Sequence, residues 1–254
     1  MLGGERPLSE STTRGVDAHV QLMAYNPVEH DWVTEDLSAL RRDFLRDELE
    51  PLLTAAGFGG CVAVEARQTP AENAFLLALA EPPSVVAAVV GWVDLLVRGV
   101  ADQVAEWAQH PRFVGVRHVL IDEADDQYML RPEFQRGLRA LAAADLSYDL
   151  LIEPRHFASA TIVVDAHPDL RFVLDHAGLP DVRGGGRDAW LPGLTALARR
   201  ANVACKLSAL ELMADWADWT TPDLRPYQEA VLEAFGPERI MIGSNWPVCT
   251  VAGG

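Results

Sequence analysis

Arg239-Ile240-Met241-Ile242-Gly243-Ser244-Asn245-Trp246-Pro247-Val248-Cys249 is a short apolar run that breaks into a polar cluster. Ile240, Met241 and Ile242 show no polar alternation, which is how a strand reads when both its faces are covered. The small residues Gly243 and Ser244 let side chains crowd around an open space, so the strand delivers Ser244, Asn245 and Trp246 to a cleft. Val16-Asp17-Ala18-His19-Val20-Gln21 has the same form near the other end and delivers His19 and Gln21. Eight such runs recur, at residues 15–21, 59–66, 85–95, 113–121, 148–153, 171–176, 203–208 and 239–244. The stretches between them, at 37–56, 71–80, 100–109, 132–144, 157–166, 189–200 and 222–235, read as helices. In the first, Leu40, Phe44, Leu45, Leu49, Leu52 and Leu53 fall at helical spacing. Strand alternating with helix predicts right-handed crossovers, and eight repeats predict an α/β fold, a closed (β/α)8 TIM-type barrel. Only residues 246–254 follow the last run, so the barrel is expected to lack its eighth helix. Either the chain is cut short there, or another segment or subunit covers the flank; a homo-oligomer would do so.

The 254 residues suit one barrel domain, with 1–14 a flexible, polar, Gly-containing N-terminal segment. A net charge of -16 argues against nucleic-acid partners, which need clustered Lys and Arg, and against anionic membrane surfaces. No run approaches the roughly 18 apolar residues of a membrane span. Cys61, Cys205 and Cys249 are odd in number and far apart, with no Cys-x-x-Cys pair. They read as buried free thiols in a reducing compartment, and the expected location is the cytoplasm.

Active sites of such barrels form at the C-terminal ends of the strands. Those ends offer His19 and Gln21, then Glu65 and Arg67, Trp92 and Asp94, Arg117 and His118, and Glu153, Arg155 and His156. Asp175 and His176, Lys206 and Ser208, and Ser244, Asn245 and Trp246 complete the circuit. Buried without partners, such groups would cost about 1–3 kcal/mol each, so their recurrence at one end of the strands points to a site.

Gly91-Trp92-Val93-Asp94-Leu95, Gly115-Val116-Arg117-His118, Tyr148-Asp149-Leu150, Leu174-Asp175-His176-Ala177-Gly178-Leu179-Pro180, Cys205-Lys206-Leu207-Ser208 and Phe235-Gly236-Pro237-Glu238-Arg239 follow one another in order. With the first and last strands, they resemble the amidohydrolase superfamily, in the branch that opens sugar and dicarboxylate lactones. The resemblance runs from about Val16 to Cys249. It implies a hydrolase in which a histidine pair on strand one and a histidine on strand six polarise the lactone carbonyl. A strand-eight aspartate then draws a proton from the attacking water. The chain departs from that pattern twice, with Gln21 in place of the second histidine of His-x-His and Asn245 in place of the aspartate of Gly-Ser-Asp-Trp-Pro. Gln21 donates a hydrogen bond but cannot become an imidazolium, and Asn245 positions a water but is no base.

The catalytic set expected from these residues is His19, Gln21, His176 and Asn245. Arg117, Trp92, Glu65 and Trp246 are expected to bind substrate, and Glu65, Asp94 or Glu153 to take over as base. A divalent metal is disfavoured, because His19 and His176 alone are too few ligands, and no other cofactor is implied. Two readings of Arg117 stand level: gripping a substrate oxygen, or pairing with Glu65 or Asp94 inside the barrel. If Arg117 faces the lumen, His118 faces a helix. Lys206 reads as a structural ion pair ahead of a Schiff-base nucleophile, and Cys249 as an inert thiol. Trp92 and Trp246 either line a sugar-sized cavity or cap the barrel. The expected function is metal-independent hydrolysis of a small lactone or related ester, such as a sugar-acid lactone. The alternatives are a non-hydrolytic binding protein of the same family, or a lactonase inactivated by His→Gln and Asp→Asn changes.

Overall fold

The computed structural model describes residues 14–253. Residues 1–13 and Gly254 lie outside the described residues, and the expectation of a flexible N-terminal segment falls on them. Eight parallel strands are hydrogen-bonded in chain order: β1 (Gly15–Val20), β2 (Phe58–Val64), β3 (Val86–Gly91), β4 (Phe113–Val119), β5 (Ser147–Leu151), β6 (Arg171–Leu174), β7 (Val203–Leu207) and β8 (Ile240–Ile242). Helices α1 (Arg46–Ala55), α2 (Pro70–Ala80), α3 (Val100–Trp107), α4 (Pro132–Ala143), α5 (Phe157–Ala166), α6 (Arg187–Ala198) and α7 (Thr221–Phe235) alternate with them. This is a (β/α)8 barrel without its eighth α-helix among the described residues.

Alternation along each strand sorts side chains between helix layer and lumen. On β5, Tyr148 meets Phe134 of α4 edge-on at 5.8 Å and Phe172 of β6 at 6.3 Å, while the neighbouring Asp149 turns inward. On β4, Arg117 points into the barrel, and His118 points outward, stacked on Tyr128 at 5.4 Å and paired with Glu123. Among the described residues no α-helix follows β8 to cover the seam between β8 and β1. Val16 and Ile242 there are 47% and 54% exposed.

Several elements end short of their sequence expectations, three of them with consequences for the site. The helix expected over residues 37–56 begins only at Arg46. Before it, Phe44 exchanges two backbone hydrogen bonds of 2.8 Å with Met23, so pairing with the loop after β1 replaces helical bonding. β3 stops at Gly91 and β6 at Leu174, short of the expected 95 and 176. After β6 the chain enters a tight turn in which His176 and Ala177 both take φ 53°. Those residues leave the ladder because the turn aims His176 across the barrel mouth.

Closure between β8 and β1 is made by the strand ends themselves. Asn245 N–H donates to the His19 carbonyl at 2.9 Å, and Gln21 N–H to the Trp246 carbonyl at 2.7 Å. Asp17 Oδ1 accepts from the N–H groups of both His19 and Ser244, each at 3.0 Å. A Cβ on Gly243 would stand 2.8 Å from His19 Cβ, so only glycine lets β8 approach so closely.

Candidate active site

Six buried side chains from six strands or strand ends meet inside the barrel. Arg117 donates from Nε to Glu65 Oε1 at 2.7 Å and from a terminal nitrogen to Asp175 Oδ2 at 3.3 Å. Lys206 Nζ donates to Asp149 Oδ2 at 2.5 Å and lies 2.9 Å from Asp175 Oδ1. His19 sits between the two cations, with Nδ1 3.3 Å from Lys206 and Nε2 3.4 Å from Arg117. His176 lies beside it, ring centroids 4.5 Å apart, and its Nδ1 is 2.8 Å from Ser208 Oγ.

Three carboxylates, Glu65, Asp149 and Asp175, thus face two cations, Arg117 and Lys206, away from solvent. That imbalance favours retaining one proton among the carboxylates. Burial raises Glu65 to about 7, against the opposing pull of Arg117. Burial likewise raises Asp149, with Lys206 opposing. Burial also pushes Asp175 upward, but Lys206 and then His19 outweigh it and hold its carboxyl well below the usual range. Burial, then the Lys206 charge, holds His19 well below its ordinary value, and burial lowers His176 to about 4. Both imidazoles are therefore neutral at pH 7.

The histidine shifts set an acid-side stability limit. A base whose folded pKa is depressed stabilises the fold above its unfolded pKa, and that stability is lost as pH falls toward the folded value. For His176 the window runs from 6.5 down to about 4. By pH 4 it should remove about 3 kcal/mol. Glu65, raised from 4.5 to about 7, acts in the opposite sense, stabilising at low pH and losing that contribution as pH rises through its window. Urea denaturation at pH 7 and pH 4 should show a smaller acid loss in His176→Asn than in the unmodified protein. Equal losses in the two would contradict the assignment.

Above this cluster opens a cavity of about 590 Å³ at the C-terminal end of the barrel. Gln21, Glu65, Arg117, His176 and Asn245 line it. His19 does not; it is fully buried beneath them. Gln21 Nε2 donates to the Glu65 carbonyl at 3.2 Å, whereas no side-chain bond holds the Asn245 amide among the described residues. Of the six non-glycine residues with positive φ among the described residues, five (His176, Ala177, Leu179, Ala209 and Asn245) lie at this end of the barrel. Such conformations cost on the order of 1–3 kcal/mol each and tend to cluster where function requires them.

Trp92 and Trp246, expected to bind substrate, stand apart from the cavity lining. Trp246 packs edge-on against Phe44 at 5.5 Å and caps the β1–β8 seam. Trp92 is held by Asn73 through its backbone, 2.8 Å at its N–H and 2.7 Å at its carbonyl. Asp94 caps the Leu96 N–H at 2.9 Å, and Glu153 binds Arg155 at 2.5 Å; neither lines this cavity. Burial pushes the Cys249 thiol up to about 11, which suits an inert thiol. Asp149 is a central member of the cluster that sequence reasoning did not single out. Its one signal is a lone carboxylate inside the apolar run 148–152, which demands a buried cation.

His19, Asp175 and His176 each offer a donor atom, all within 4.8 Å of one another, the grouping a metal would need. Most of those atoms are already approached by other groups, His176 Nε2 alone having no partner among the described residues. Lys206 and Arg117 hold both oxygens of Asp175, the same two cations flank both nitrogens of His19, and Ser208 takes His176 Nδ1. Two fixed positive charges at the donor set do not fit a divalent cation, and Gln21 and Asn245 add only neutral amides.

The amidohydrolase family model matches residues 16–254. A protein named L-fucono-1,5-lactonase from Burkholderia ambifaria is 38% identical over 245 residues, covering 94% of this chain and 82% of that protein. A protein of the same name from Burkholderia multivorans is 39% identical, covering 93% and 83%. The crystal structure of an amidohydrolase from Burkholderia multivorans with bound zinc superposes with a TM-score of 0.91 at 38% identity, covering 95% of this chain and 87% of that one. Joined by the barrel and the strand-end cluster, these matches establish that the chain belongs to the amidohydrolase family.

Proposed function

We propose that the chain hydrolyses a small lactone at this cavity without a metal ion. The observation that carries the reading is the fixed pair of cations, Arg117 and Lys206, at the donor atoms of His19 and Asp175, beneath a cavity lined by His176, Glu65, Gln21 and Asn245. The names of the relatives support a lactone as the class of substrate.

Ser208 donates its hydroxyl proton to His176 Nδ1, which leaves the Nε2–H to donate toward the lactone carbonyl. Charge developing on that oxygen is stabilised by the N–H dipole and by the two cations below. Asn245 and Gln21 hold the attacking water. Glu65, raised to about 7, takes its proton as the water oxygen bonds to the carbonyl carbon. The ring C–O bond then breaks, and Glu65 returns the proton to the leaving oxygen, giving the open hydroxy acid.

In this reading the amides are the weak points. Asn245→Asp together with Gln21→His should raise lactone hydrolysis at least about tenfold, or roughly 1.4 kcal/mol of transition-state stabilisation. The two changes should exceed the product of the single effects, because the groups act on one carbonyl and one water. The measurement is initial rates on a lactone panel for the protein, both single variants and the double variant. A folded double variant with no gain on any lactone would favour the non-hydrolytic binding protein.

A further inference from the structure

The cavity wall mixes apolar surface with carboxylates. Val28, Trp32 and Leu37 follow β1, and Leu212, Met213 and Trp216 follow β7. β8 lies between those two strands, so the apolar residues share one side of the mouth, with Glu29 and Asp31 set among those after β1. Val28 is 82% exposed and Trp216 38% exposed at the mouth. The indole N–H groups are already used: Trp32 donates to the Ala66 carbonyl at 2.8 Å, and Trp216 to the Leu212 carbonyl at 2.9 Å. What they offer a ligand is ring surface.

The other side, over β2 and β4, holds Val119 and Ile121 and carries charge, but no free cation among the described residues. Arg67 is held by Glu29 and Glu72, and Arg117 by Glu65 and Asp175. Asp31 and Asp122 also line the cavity, and neither has an ion-pair partner among the described residues. An anionic ligand entering here would lose hydration without gaining a cation and would meet two carboxylates. A polyol that bonded Asp31 or Asp122 would still lay hydroxyls against Leu212, Met213 and Trp216, whose side chains offer no free donor or acceptor.

Resting on the hydrolytic reading above, we infer that the site selects an uncharged lactone bearing an alkyl or aryl substituent. Its carbonyl faces His176 and Asn245, and its substituent lies against Leu212, Met213 and Trp216. The neutral ring enters readily, whereas the carboxylate formed by ring opening is repelled by Asp31 and Asp122. The same asymmetry that excludes acidic substrates therefore expels the product.

Binding tests the ligand class and turnover tests the reaction. The binding compounds are the lactams matching δ-decalactone and glucono-δ-lactone, in which nitrogen replaces the ring oxygen and opening is negligible, with 2-pyrone-4,6-dicarboxylate as the anionic probe. Calorimetry should show the decalactone-derived lactam at least about tenfold tighter than the glucono-lactam, since each buried methylene contributes about 0.8 kcal/mol, and no binding of the dicarboxylate. Trp216→Ala, a change at the exposed mouth, should shrink the preference by roughly fivefold. Equal or tighter binding of the glucono-lactam or the dicarboxylate would overturn the ligand class. The expected preference in binding, with neither lactone opened, would overturn the hydrolytic reading and leave the ligand class standing.

Discussion

Glu65→Gln should lower kcat/KM for lactone opening by about 10²–10⁴-fold, the usual loss when a proton-transfer group is removed. Gln keeps the shape of the side chain, and its carbonyl oxygen can still accept from Arg117 Nε, now 2.7 Å from Glu65 Oε1. What disappears is the capacity to take a proton from water. A base raised to about 7 must be ionised to act, so activity should climb as pH rises through about 7 and level off above it. The variant should lose that rising limb as well as the rate. A Glu65→Gln protein with undiminished activity, or one that keeps the limb near pH 7, would assign the base elsewhere.

Lys206→Met should produce the largest loss of stability. The ammonium is buried and shared between Asp149 and Asp175 at 2.5 and 2.9 Å. Removing one partner from a buried ion pair costs about 3–5 kcal/mol, because the remaining charge stays in a low-dielectric interior. In a domain of this size that corresponds to a fall of roughly 10 °C in Tm. Adding Asp149→Leu should recover much of the loss, since Asp175 keeps Arg117 at 3.3 Å. Thermal unfolding of the single and double variants measures both effects. A near-neutral Lys206→Met would mean that the cluster does not carry the charge balance described above.

The barrel was legible because its signal is repetitive. Eight V/I/L-rich runs, the first seven each followed by a helical stretch, leave few topologies open, and the count also predicted that no eighth α-helix stands among the described residues. Local boundaries were less legible where tertiary pairing overrides periodicity. Leu40 and Phe44 keep helical spacing, yet the Met23–Phe44 backbone pair takes their segment out of the helix. The positions of Glu65, Arg117, His176 and Asn245 followed from the strand-end rule, and the structure brings them to one cavity. The rule gives a strand's end but not where its side chain turns beyond the ladder. Trp92 and Trp246 therefore stand at strand ends without lining the cavity. Asp149 lay hidden because a residue in mid-strand is read as core unless its charge demands a partner, and the partner, Lys206, is 57 residues away. The apolar side of the cavity comes from loops after β1 and β7, which carry no periodicity to read.

Metal-independent ring opening is tested most directly by one titration. The protein, stripped with chelator and checked for metal content by elemental analysis, is assayed on δ-decalactone while zinc is added back. Hydrolysis by the stripped protein, unchanged as zinc rises to stoichiometry, is the expected result, with Lys206 and Arg117 occupying the donor atoms throughout. An inactive stripped protein whose activity returns in proportion to about one tightly bound zinc per chain, as for a catalytic metal site, would contradict it.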